Sequence, residues 1–160
     1  MAAFTAPQEL HDLAFRYGLA VDTRDAALLT AIFTADGAIG GHGQPGARYR
    51  GAEGWARMIA EVEGSFAATM HNVFNQTFER SSDGAVTGIT TGVASHILPG
   101  EGENGEVTLL EFAMRYHNAY ALEGGQWRFS DRRLEVMWVE QRSARRFSGR
   151  MFGRELAGFR

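Results

Sequence analysis

The apolar residues of this chain change period once, and the change limits it to one broad kind of fold. Up to about residue 65 they recur at helical spacing. From Thr69 onward they fall into long strand-like runs rich in β-branched and aromatic residues. Helices first and long strands last does not provide the strand–helix alternation of a parallel sheet. The order predicts an α+β fold in which N-terminal helices pack on one face of a curved antiparallel sheet.

The helical part opens with Thr5-Ala6-Pro7-Gln8, which has the spacing of a capping box. Leu10, Leu13, Ala14, Tyr17 and Val21 follow as one apolar stripe. Beyond Asp22-Thr23-Arg24-Asp25, a second short helix carries Leu28, Leu29, Ile32 and Phe33, and Ala38 and Ile39 suggest a short strand. Gly40 to Gly51 contains five glycines and Pro45 and reads as a loop. A third helix carries Trp55, Met58, Ile59 and Val62. Strands are expected over His71–Glu79, Ala85–Leu98, Val107–Ala121 and Gln126–Val139. These elements make one domain over residues 1–141, followed by an arginine-rich tail over 142–160.

Missing residue types exclude several chemistries. Cysteine is absent, which removes thiol nucleophiles, disulfides and thiolate metal sites and suits a reducing cytoplasm. All sixteen basic residues are arginine, so no Schiff-base or phosphate-loop lysine is available. Arginine stays protonated, which leaves proton abstraction to His, Asp, Glu or Tyr. A net charge of −3 gives no reason to expect nucleic acid as a partner. No apolar stretch approaches the length of a membrane span, and Met1 to Pro7 lacks the pattern of a secretory signal.

Two histidines sit where a pocket would form. On the first long strand His71, Val73, Asn75 and Thr77 share one face and Phe74 and Phe78 the other, so the first face suits a polar pocket. On the second, Gly88, Thr90, Gly92, Ala94 and His96 share a face, and small side chains there leave room for a ligand. Tyr116 can reach the same space, with His117 facing the opposite way. Arg132 lies among Leu134, Val136 and Trp138 and either binds a polar substrate group or pairs with Glu111 or Asp131. His11 and His42 read as solvated. No His or carboxylate pair has close ligand spacing, so no metal site is expected. Asp22 can either orient an imidazole or simply cap the next helix.

Tyr17 and Asp22 on the first helix, Thr69-Met70-His71 at the first long strand, Arg115-Tyr116-His117 and Trp127-Arg128-Phe129 together resemble the SnoaL-like family of the nuclear-transport-factor-like superfamily. The resemblance runs from about Gln8 to Glu140 and implies a cone-shaped α+β barrel. Scytalone dehydratase, the bile-acid dehydratase and hexachlorocyclohexane dehydrochlorinase belong to that superfamily. They are lyases that use an Asp–His pair and no cofactor, and the pair falls on Asp22 and His71. Tyr17 and His96 match further catalytic positions, Tyr17 in the bile-acid enzyme and His96 in scytalone dehydratase. Val21 replaces a tyrosine of scytalone dehydratase, and the dehydrochlorinase lysine has no counterpart.

The resemblance implies a cofactor-independent lyase or isomerase acting on a small, mostly apolar ring compound. His71 would be general base, Asp22 its orienting carboxylate, and Tyr17 or His96 the proton donor. Asn75, Arg132 and Tyr116 would contact substrate. The superfamily also contains oxygenase β-subunits without chemistry, so a ligand-binding or subunit scaffold is the alternative. Strands apolar on both faces predict a homodimer or homotrimer.

Overall fold

The computed structural model describes residues 4–46 and 48–145. Three helices, α1 (Gln8–Asp22), α2 (Ala26–Ile32) and α3 (Gly51–Ser65), pack against one six-stranded sheet. Its strands are β1 (Phe33–Gly41), β2 (Tyr49–Arg50), β3 (Ala68–Arg80), β4 (Val86–Ile97), β5 (Glu106–Glu123) and β6 (Gln126–Arg145). The sheet is curved but not closed, with order β2-β1-β6-β5-β4-β3, leaving β2 and β3 as edges. All neighbours are antiparallel except β1 and β6, which run parallel. The parallel pair departs from the expected all-antiparallel sheet. It is possible because β2, α3 and three strands lie between β1 and β6 in the chain, so no hairpin forces the two to be antiparallel.

Apolar burial joins the two layers. Leu10, Leu13, Ala14 and Tyr17 of α1 and Trp55, Met58 and Ile59 of α3 are buried against the sheet. Phe33 was expected on the second helix. It opens β1 instead and packs its ring 4.5 Å from that of Trp55 and 5.2 Å from that of Phe129.

The predicted capping box does not form. Pro7 occupies the N-cap of α1 without a side-chain cap, and the Gln8 side chain donates to Asp12 at 2.9 Å. Asp25 accepts the Leu28 N–H at 2.8 Å and caps α2, an interaction typically worth ~1 kcal/mol. That leaves Asp22 free for other work.

Two further departures come from strand pairing. Tyr49 and Arg50 pair with Ile39 and Ala38, so the glycine-rich loop contains a two-residue strand. β6 continues to Arg145, where it pairs with Glu106 at the start of β5. The beginning of the expected tail is therefore strand, and the rest of it, 146–160, lies outside the described residues.

Candidate active site

α1 ends on Asp22, and β3 is an edge strand whose outer backbone groups have no strand neighbour. The carboxylate occupies that edge. Oδ2 accepts the His71 backbone N–H at 2.8 Å, and Oδ1 accepts the Thr69 hydroxyl at 2.9 Å and His71 Nδ1–H at 2.7 Å. Gly18, one turn earlier, allows the approach: a Cβ there would lie 3.1 Å from the His71 Cβ. Burial pushes the Asp22 carboxyl up, but the bonds from the His71 side chain and backbone and from Thr69 outweigh it. The net shift is below the ordinary carboxylate value. In the neutral imidazole, hydrogen on Nδ1 leaves the lone pair on Nε2.

Arg24 completes the network. It is the one non-glycine residue with positive φ among those described, at 61°. Its guanidinium donates to the Val21 carbonyl and, at 2.7 Å, to the Thr69 hydroxyl. A backbone conformation that L-residues seldom adopt is thus offset by bonds that orient Thr69, and through it Asp22. Sequence reasoning missed both roles. An arginine just past a helix looks solvated, although Thr69, two residues before His71, does share its strand face.

His71 lines a cavity of about 360 Å³ between helices and sheet, with Tyr17, His96 and Tyr116 and a largely apolar wall that includes Met58, Phe66 and Phe112. Asp22 stands behind His71, so Tyr17 and Asp22 need not share a face of α1, where they lie about 140° apart. Phe33 is buried in the core, and Phe74 and Trp138 are exposed, so none of the three fills the cavity. A cleft of about 460 Å³ between Pro99 and Ser143 is larger but contains no histidine.

His96 reaches the cavity in a form that bears on its expected role. Its Nδ1 lies 3.1 Å from the Ala94 carbonyl oxygen, a contact that requires an N–H donor. Burial, the largest cause, pushes its pKa down to about 4. His96 is therefore neutral near pH 7, with Nε2 as a hydrogen-bond acceptor, which leaves Tyr17 as the better placed of the two candidate proton donors.

Tyr17 keeps its proton, because burial raises its pKa more than Arg132 lowers it. Arg132 is buried behind the cavity wall, with its guanidinium carbon 4.3 Å from the Tyr17 ring centre and 4.0 Å from that of Tyr116. It donates to Asn118 Oδ1 at 2.8 Å, and its Nε has no hydrogen-bond partner. Neither expected partner pairs with it: Asp131 bonds Arg133 and Glu111 bonds Arg142. Arg132 thus lies behind the cavity lining, buried against the rings of Tyr17 and Tyr116. Tyr116 does line the cavity, but its hydroxyl donates to the Met114 sulfur at 3.2 Å.

Asn75 does not join the site. β3 bulges between Val73 and Gln76, which reverses the faces from there on. Gln76 and Phe78 turn inward, and Asn75 is exposed. The small residues of β4 also have another cause. A Cβ on Gly88 or Gly92 would lie 2.4 or 2.5 Å from a β3 carbonyl oxygen, so these glycines admit the neighbouring backbone.

His11 packs against Phe78, with ring centres 4.6 Å apart. His42 is exposed but not isolated. It stacks on His117 beside Glu135, on the sheet face turned away from the cavity. The expectation of no ligand cluster rested on local spacing. These three residues come from distant parts of the chain.

Structural comparison gives the same architecture in proteins of low identity. A hexachlorocyclohexane dehydrochlorinase, LinA type 2, is 24% identical with a TM-score of 0.72, covering 91% of this chain and 94% of its own. A scytalone-dehydratase-like protein from Novosphingobium aromaticivorans is 18% identical with a TM-score of 0.69, covering 92% and 94%. A Mycobacterium tuberculosis protein of unknown function is 23% identical with a TM-score of 0.64, covering 81% and 70%. Comparison with curated protein sequences gives no match. Residues 3–133 match the SnoaL-like domain, and the chain belongs to that family.

Proposed function

We propose that this protein is a cofactor-independent lyase or isomerase of the dehydratase type, acting on a small and mostly apolar ring compound. The observation that carries the reading is the 2.7 Å contact between Asp22 and His71 Nδ1, in a cavity that bulky side chains leave open. A volume of about 360 Å³ falls within the range of small-molecule sites.

His71 Nε2 takes a proton from an activated carbon. The electron pair of that C–H bond becomes the new double bond, and the neighbouring group departs with its own pair. Tyr17 protonates a departing oxygen, and the Arg132 guanidinium behind the ring stabilises the phenolate that remains. Asp22 holds the tautomer and balances the imidazolium. His96 accepts a hydrogen bond from a substrate hydroxyl through Nε2. Dehydration and double-bond migration both fit these roles.

The reading is tested by screening ring compounds that carry a leaving group next to an acidic C–H, with no cofactor added and products followed by mass spectrometry. The expected product has lost water or another small acid, or is isomeric with the substrate. Tyr17→Phe should slow its formation by about 10²–10⁴-fold with little change in ligand affinity. Ligands that bind wild-type protein tightly and are always recovered unchanged would favour the scaffold role instead.

A further inference from the structure

We propose that His42, His117 and Glu135 form a binding site for one divalent transition-metal ion of the zinc class, separate from the cavity. The site is independent of the catalytic reading. Strand register builds it. On β5 and β6, His117 pairs with Arg133 and Arg115 with Glu135, so Glu135 lies diagonally across from His117 on the same face. β1 runs beside β6, and the His42 N–H donates to the Leu134 carbonyl at 2.9 Å, which places His42 next to Glu135.

The donor set suits zinc, for which two imidazoles and a carboxylate are ordinary ligands and water completes a tetrahedron. One ligand atom from each residue lies within 4.8 Å of the others, and His117 Nε2 is 2.8 Å from Glu135 Oε2. Zinc at about 2.0–2.1 Å from each donor would set them roughly 3.4 Å apart, so movements of about 1 Å suffice. The rings of His42 and His117 lie 3.6 Å apart and nearly parallel, at 11°. Parallel rings do not aim their lone pairs at one point, so one of them must rotate. His42 is exposed and sits at the start of a loop, which makes it the ring able to turn. Arg115, 3.5 Å from Glu135, is the competing cation.

A bound ion would fasten the loop that follows His42 to the sheet. That loop leads to Arg48 and Tyr49, which line the cavity at the opposite face. Ion binding would thereby restrain one wall of the cavity without contacting a ligand inside it.

The test uses tag-free full-length protein, which has no cysteine to bind metal elsewhere. Zinc binding is measured by calorimetry, and cobalt(II) substitution is followed through its visible absorption. One ion per chain is expected. His42→Ala, His117→Ala and Glu135→Gln should each weaken binding by more than the roughly 10–100-fold typical of losing a supporting partner. Arg115→Ala should strengthen it. His71→Ala should leave affinity unchanged, which separates this site from the cavity. At a hundredfold excess over Kd, zinc should raise Tm by roughly 5–10 °C and slow amide exchange in the loop after His42. Circular dichroism checks that each variant is folded. No binding, equal binding in wild type and the folded His117→Ala variant, or loss in His71→Ala alone would overturn the proposal. Binding without slower exchange would overturn the fastening role.

Discussion

Asp22 accepts three hydrogen bonds on two oxygens, two from His71 and one from Thr69. A carboxylate bound in this way resists protonation, and it also specifies which nitrogen of His71 carries hydrogen. Its two contacts with His71 give the imidazole a fixed position without support from the cavity side. His96 lacks such a carboxylate, and burial depresses its pKa from 6.5 to about 4. Between those two values the unfolded chain binds a proton that the folded chain refuses. The stability linked to His96 is therefore fully present above pH 6.5 and is lost as the pH falls towards 4. Thermal unfolding of wild type and His96→Asn across that range should show the wild type losing Tm more steeply, and parallel curves would contradict the assignment. That His71, Tyr17 and His96 would line one cavity, with Asp22 against His71, was legible because few residue types here can move protons and their order resembles that of the SnoaL-like family. Arg24 was not legible, because its role depends on a positive φ and on partners in a distant strand. Arg132 was half legible: its burial could be read from its neighbours, but the rings of Tyr17 and Tyr116 that receive its charge could not.

The elements repeat this division between local and long-range causes. Helices and long strands were visible because their periods are written in consecutive residues. The β3 bulge was not, because it is set by cross-strand register with β4, and it moved Asn75 out of the site. The two-residue strand β2 was hidden by surrounding glycines, and the end of β6 by its arginines, of which Arg142 pairs with Glu111 of β5. The glycines of β4 offer a direct test. Gly92→Ala would place a Cβ 2.5 Å from the Asn72 carbonyl oxygen, beside the bulge. It should destabilise the fold by about 1–3 kcal/mol. Gly64→Ala, in α3 with nothing within 4 Å of the new Cβ, should instead stabilise by about 0.5–1 kcal/mol. Chemical denaturation of both variants checks the pair. A neutral Gly92→Ala would contradict the view that this glycine admits the β3 backbone.

At the scale of the whole molecule, the sheet has more apolar surface than three helices can cover. Trp138 is 65% exposed and Phe74 57%, and Met70 of β3 is also open to solvent. Surface of this kind calls for a partner, and we expect the 17.6 kDa chain to sediment as a dimer or trimer at micromolar concentration. Trp138→Glu should shift it towards monomer, and a wild-type monomer would contradict the expectation. No helix among the described residues is long and apolar enough to cross a membrane. The general architecture was legible because a layer of helices over one sheet face follows from element order. The parallel β1–β6 pairing was not, since it depends on how the chain returns. The central claim is that Asp22 and His71 move a proton, and NMR of a cavity ligand in D2O tests it most directly by following exchange at the ligand's activated carbon. Wild-type protein should catalyse exchange, His71→Ala should abolish it, and Asp22→Asn should slow it by on the order of 10⁴-fold, with ligand affinity and the fold retained. Wild-type exchange rates in both folded variants would contradict the account.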